Sequence, residues 1–164
     1  MADIRHVYSQ IVMQHAYKSD YHKEMDDPTK SVLGHNPSCG DEITLHLKLN
    51  GKVIEEASFT GHGCAISQAS TSLMCQLIEG ETIDQARKQV GDFIGMIKGT
   101  KTDMDELEDS IGDAIALQDI SHMPQRVKCA ELAWRTLGDL IDEEKGFNQG
   151  KDQLGQSLKE RRPE

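Results

Sequence analysis

ITLHLKLNGKVIEEASF, residues 43–59, is the most strongly patterned stretch of the 164-residue chain. Ile43, Leu45, Leu47 and Leu49 alternate with Thr44, His46 and Lys48; after Asn50-Gly51, Val53, Glu55, Ala57 and Phe59 continue a second run. A period of two is the mark of a half-buried strand, and Asn-Gly between two such runs predicts a β-hairpin closed by a type I′ turn. Every other patterned stretch has helical spacing. The fold class expected is therefore α+β, a small antiparallel sheet packed with helices.

Toward the N-terminus, Ile4, Val7, Tyr8, Ile11, Val12 and His15 repeat at helical spacing. The polar residues between that helix and the hairpin read as loop, ending in the tight turn Asn36-Pro37-Ser38-Cys39-Gly40-Asp41. Toward the C-terminus, Gly61-His62-Gly63-Cys64 precedes a helix marked by Ile66, Ala69, Leu73 and Leu77 and ended by Gly80. Thr82 and Gln85 form a capping box that opens a second helix through Val90. Residues 91–101 hold three glycines and read as a broken connection. Between Asp103 and Asp119 lie seven acidic residues and no Lys or Arg, while Leu107, Ile111, Ile115 and Leu117 keep partial helical spacing, so the run reads as a solvated helix face. Pro124 opens a last helix whose apolar face is Val127, Ala130, Trp134, Leu137 and Ile141. Residues 1–145 are expected to form one domain, and 146–164, which lack a core pattern, a flexible tail.

Composition narrows the function. The chain is 37% hydrophobic, 28% charged and only 4% aromatic, so its core must be mainly aliphatic. A net charge of -10 argues against binding nucleic acid or an anionic membrane, both of which call for basic surfaces. No apolar run reaches signal-peptide or membrane length, which makes a reducing cytoplasm the expected compartment. There the four cysteines, Cys39, Cys64, Cys75 and Cys129, are thiols or metal ligands rather than disulfides. No CxxC pair is present, which removes zinc ribbons and thioredoxin-type motifs.

Three of the cysteines occupy similar positions. Cys39 is in a Pro/Gly turn before a strand, Cys64 in a Gly-rich turn at a helix N-terminus, and Cys129 near the start of the last helix. Helix N-termini favour the thiolate, the form that binds metal or attacks sulfur. Asp41, two residues after Cys39, can bring a carboxylate to the same place. Three thiolates with one further donor suit zinc or an iron–sulfur cluster, whereas Mg and Ca prefer oxygen. The competing reading for any one cysteine is core filling, and for Cys75, between Leu73 and Leu77 inside a helix, it is the better one. His62 reads as a ligand or a solvated turn residue. His6, His15, His22, His35, His46 and His122 show no paired spacing and read as structural or exposed.

NPSCGDEITLHLKL, ASFTGHGCAISQASTSLM and RVKCAELAW closely resemble the U-type iron–sulfur assembly family, the group of NifU N-terminal and IscU-like domains, over residues 3–142. Lys128 stands where the scaffold branch has a His before the third Cys, and the 65 positions between Cys64 and Cys129 exceed that branch's spacing. Both features resemble the zinc-dependent sulfurtransferase (SufU) branch. The resemblance implies a three-stranded sheet, whose third strand is not evident in the sequence. It also implies one zinc on Cys39, Asp41, Cys64 and Cys129. Cys39 would accept persulfide sulfur from a SufS-type cysteine desulfurase, freed when a partner His takes its place on zinc, with Arg126 as a catalytic residue beside the site. Downstream iron–sulfur scaffold proteins would receive the sulfur. The alternative is a scaffold on which an iron–sulfur cluster is assembled by the same cysteines. Docking would use the face around Cys39 and Cys64, and the acidic 103–119 run could steer a basic partner surface.

Overall fold

A computed structural model describes the backbone of residues 4–37 and 40–160 and the side chains of 8–37 and 40–142. Its elements are α1 (Ile4–Tyr17), β1 (Lys30–Asn36), β2 (Asp41–Asn50), β3 (Val53–His62), α2 (Ala65–Ile78), α3 (Ile83–Lys98), α4 (Met104–Ile111), a 3-10 segment (Gly112–His122) and α5 (Pro124–Glu160). The strands form one antiparallel sheet in the order β1-β2-β3, and the architecture is α+β as expected.

The alternation in β2 and β3 becomes two faces of that sheet. Ile43, Leu45 and Leu47 of β2 and Ala57 and Phe59 of β3 are at most 2% exposed, and the register sets Leu45 opposite Phe59 and Leu47 opposite Ala57. Helices α2 and α5 pack on this inner face. The opposite face is polar: His46 sits between Ser31 and Thr60, its Nδ1 2.8 Å from Ser31 Oγ and its Nε2 3.0 Å from Thr60 Oγ1.

Three local expectations are corrected. The hairpin pairs Asn50 with Val53, so the turn residues are Gly51 and Lys52; only Gly51 has positive φ (62°). A type I′ turn needs positive φ at both central residues, and glycine first with an ordinary residue second is the II′ pattern.

The loop reading of 18–41 missed β1. The inward positions of this strand include Gly34 and Asn36, and its largest apolar residue, Leu33, points outward at 60% exposure, so no apolar alternation is visible. Gly34 is small for a packing reason. A Cβ there would lie 2.1 Å from Thr136 Oγ1 and 3.4 Å from Leu132 Cδ1, both on α5, so glycine lets the helix lie against the strand.

The broken connection at 91–101 is instead helix as far as Lys98. Phe93, Met96 and Ile97 are buried against the core, which outweighs the helix cost of Gly91 and Gly95; Gly99, at φ 81°, supplies the left-handed cap that ends the helix. Thr82 caps α3 as expected, its hydroxyl accepting from Gln85 N at 3.1 Å.

All seven acidic side chains of 103–119 are exposed, while Leu107, Ile111, Ile115 and Leu117 face inward. The backbone of α5 stays helical across residue 146, where the tail was expected to begin; side chains from 143 onward lie outside the described residues.

Asp92 ties α3 to this acidic segment. It is 4% exposed, and its carboxylate accepts from Lys88 Nζ (2.8 Å), Lys101 Nζ and the hydroxyl of Ser110. Burial alone would raise its pKa, but the hydrogen bonds from Lys101, Lys88 and Ser110 outweigh burial and hold it at about 2. A depressed carboxyl stabilises the fold fully above its unfolded value, about 3.9, and that contribution disappears as pH falls through the folded value. The melting-temperature gap between the parent chain and Asp92→Asn should therefore be widest near neutrality and close between about pH 4 and about pH 2. A pH-independent gap would show that the carboxylate's charge contributes nothing.

Candidate metal centre

The site forms where the sheet meets the N-terminal ends of α2 and α5. Asp41 is the first residue of β2, paired with Asn36 across the β1–β2 turn, and is fully buried. Gly40 just before it has φ 71°, a conformation that favours glycine. The chain arrives from the other side through Gly61-His62-Gly63. Gly61 has φ 112°, and a Cβ on it would lie 2.1 Å from the Glu42 carbonyl oxygen; a Cβ on Gly63 would lie 2.9 Å from Asp41 Oδ1 and 3.0 Å from Ser67 Oγ. These glycines allow the strand-to-helix turn to close onto Asp41.

That closure fixes Cys64. Its backbone N–H donates to Asp41 Oδ1 at 3.0 Å, and its Sγ caps α2 by accepting from Ser67 N at 3.4 Å. The sulfur thus sits at the N-terminus of α2, where it satisfies one of the helix's free N–H groups. Cys129, 2% exposed, comes from the second turn of α5. One ligand atom from each of Asp41, Cys64 and Cys129 lies within 4.8 Å of the other two. They are the one such group of His, Cys, Asp and Glu found among the described residues.

These donors fit the expected metal. Zinc–sulfur and zinc–oxygen bond lengths put the ligand atoms of a tetrahedral site about 3.4–3.8 Å apart, and three ligand atoms within 4.8 Å of one another reach that spacing by a contraction of about 1 Å. Two sulfurs and a carboxylate leave one tetrahedral position for a fourth donor. The same soft donors are compatible with an iron–sulfur cluster.

Of the sequence-predicted site residues, Asp41, Cys64 and Cys129 come together. Cys39, two positions before Asp41 in the chain, lies outside the described residues. Arg126 is exposed, one turn before Cys129 on the same side of α5, and Lys128 is exposed. His62 is exposed and is not part of the trio. Cys75 is fully buried in the core, where burial first and Glu79 second push its thiol far up, so it stays protonated and inert. Sequence reading gave no role to Ser67. Its hydroxyl is buried against the same glycine as Asp41 and has no hydrogen-bond partner among the described residues. A serine inside a helix carries no sequence signal of that kind.

Residues 7–130 match the family model described as NifU-like N terminal domain. The chain is 40% identical over 149 residues to the zinc-dependent sulfurtransferase SufU of Bacillus subtilis, covering 90% of this chain and 97% of that protein. It is 38% identical over 135 residues to the iron–sulfur cluster assembly scaffold protein IscU of Thermotoga maritima, covering 82% and 92%. Among solved structures, that of FiSufU, a SUF-system protein from Fervidobacterium islandicum AW-1, superposes with a TM-score of 0.73 at 36% identity, covering 82% of this chain and 96% of that one.

Proposed function

The chain belongs to the family of NifU-like N-terminal domains, and on that footing we propose that it is a zinc-dependent sulfur-transfer protein of iron–sulfur cluster assembly. It takes persulfide sulfur from a cysteine desulfurase onto Cys39 and passes it to downstream scaffold proteins. What supports this reading is the meeting of a buried carboxylate and two cysteines, one donor short of a tetrahedral set, in a chain most of whose length aligns with a protein named for zinc-dependent sulfur transfer. Cys39 supplies that donor in the proposed set of Cys39, Asp41, Cys64 and Cys129.

Zinc, when bound, keeps the thiols deprotonated while masking them as nucleophiles. The protein's own groups do the rest. The Cys64 N–H holds Asp41 in place. The Cys39 thiolate attacks the outer sulfur of the donor's persulfide; the new S–S bond forms on Cys39 as the old one breaks and the donor cysteine leaves as thiolate. Arg126, exposed a turn before Cys129, offers the incoming anionic sulfur a positive charge. No helix among the described residues is long and apolar enough to cross a membrane, and the proposed setting is the cytoplasm.

The test is a Cys39→Ala variant that keeps the parent's circular dichroism. Its stimulation of a cysteine desulfurase, read as alanine formed from cysteine, should be lost. Undiminished stimulation would leave only a structural zinc domain. The scaffold reading, favoured by the similarity to IscU of Thermotoga maritima, predicts labile iron and acid-released sulfide in the purified protein in place of one tightly held zinc.

A further inference from the structure

A buried hydroxyl beside the metal centre is left without a partner. Ser67, in the first turn of α2, is 1% exposed, and its Oγ makes no hydrogen bond among the described residues. A buried hydroxyl in that state costs the fold free energy, and native proteins rarely keep one without a use for it. The rest of the residue is engaged: its N–H donates to Cys64 Sγ at 3.4 Å and its carbonyl accepts from Thr71 Oγ1 at 2.7 Å.

The surroundings of the hydroxyl point to its use. Gly63 is not among the glycines of positive φ, so space rather than backbone freedom is what the turn asks of it. A Cβ there would stand 2.9 Å from Asp41 Oδ1 and 3.0 Å from Ser67 Oγ. Carboxylate and hydroxyl therefore face one small space from two sides, and glycine keeps it open. We propose that Ser67 is a positioning residue of the metal centre: when the ion is bound, its hydroxyl donates a hydrogen bond to the Asp41 carboxylate across Gly63 and holds that carboxylate to the metal through one oxygen. This role rests on the zinc reading of Asp41, Cys64 and Cys129.

The local hydrogen bonding supports a donor role. In a capping box the side chain at the third helical position accepts from the N–H of the N-cap residue. Cys64 is the N-cap of α2 and Ser67 the third residue after it, but the Cys64 N–H goes to Asp41 Oδ1 instead. That leaves the serine hydroxyl to act the other way, as a donor, and rotation about χ1 between staggered positions is all it needs to turn. Asp41 is 0% exposed, so bulk water does not serve its lone pairs. A carboxylate offers about four acceptor sites, and with one on the metal the others call for protein donors. Cys64 N–H and Ser67 Oγ together fix the plane of the carboxylate and keep its second oxygen off the ion, which leaves the fourth position to Cys39. The other acceptor near Ser67, the Cys64 sulfur, already takes the Ser67 N–H.

The experiment compares Ser67→Ala with the parent chain, both reduced, stripped of metal and titrated with Zn2+ in competition with a chromophoric chelator. The metal-free variant should melt at or above the parent's temperature, because removing an unpaired buried hydroxyl removes a cost. Its zinc affinity should fall about 10-fold or more, the loss that follows removal of a group orienting a metal ligand. In an Asp41→Ala background the same substitution should change zinc affinity by no more than about 2-fold, since the hydroxyl acts through that carboxylate. With Co2+ in place of zinc, the d–d bands of Ser67→Ala should move while the sulfur-to-cobalt charge-transfer band stays in place. Unchanged zinc affinity overturns the proposal, and with a lowered melting temperature of the metal-free form it leaves Ser67 a purely structural role. A loss that persists in the Asp41→Ala background, or a shifted charge-transfer band, also overturns it and assigns the hydroxyl to the Cys64 sulfur. A parent chain that binds no zinc removes the centre itself, and the role of Ser67 with it.

Discussion

Changing Cys64 or Cys129 to Ser should weaken zinc binding on the order of 100-fold or more, since even partners that merely orient a ligand contribute 10–100-fold. The geometry explains why neither residue can be spared. Cys64 is held by two backbone links, its N–H to Asp41 Oδ1 and its sulfur to Ser67 N, while Cys129 is 2% exposed on a different helix. The sheet end, α2 and α5 each supply one donor, and no other Cys, His, Asp or Glu among the described residues reaches the cluster. Serine is close to cysteine in size, so the fold should survive, but its hydroxyl stays protonated and is a poor zinc ligand at neutral pH. Cys75→Ala is the control: its thiol is in the core, away from the trio, and zinc stoichiometry should be unchanged. Metal analysis after gel filtration reads both results. Retention of one tight zinc by Cys64→Ser and Cys129→Ser would remove the proposed centre.

Trp134→Ala should destabilise the protein by about 4 kcal/mol, lowering the melting temperature by roughly 10 °C. Trp134 is the largest side chain that is fully buried. Its ring stacks on Phe93 of α3 with centroids 4.1 Å apart and planes 6° from parallel. Its Nε1–H donates to Ser70 Oγ at 2.8 Å, and the Ser70 hydroxyl donates to the Ala130 carbonyl at 2.6 Å. One side chain therefore joins α5, α3 and α2. Truncation removes the stack, leaves a cavity and orphans one of Ser70's contacts. Trp134→Phe keeps most of the apolar volume and loses only the hydrogen bond, so it should cost about 1 kcal/mol. Urea unfolding measures both. Equal costs for the two substitutions would mean that the hydrogen bond, not the packed ring, carries the effect. Because Cys129 sits on the same helix one turn and a half earlier, loss of this anchor should also loosen the metal centre.

The legibility of the fold in the sequence followed packing. Segments that bury a regular apolar face, namely the 43–59 hairpin and the helices opened by Cys64, Thr82 and Pro124, were evident because the core imposes its period on the residues. β1 was not, because the room it leaves for α5 demands Gly34, and glycine erases the alternation that would announce a strand. The second half of α3 was not, because Phe93, Met96 and Ile97 hold a glycine-containing stretch helical through contacts made by other parts of the chain.

By itself the sequence determined which residue types were available for chemistry: three cysteines in turns or at helix starts, an aspartate two positions after one of them, and a fourth cysteine in an apolar helix. It also determined the family, since those local contexts are specific. Only the tertiary structure decided which of these groups meet. Asp41 and Cys64 are joined by a hydrogen bond between the start of one strand and the start of a helix, and Cys129 reaches them from α5. Spacing along the chain reports neighbours within one element, whereas a metal site is set by distances between elements, and those exist only once the core has packed.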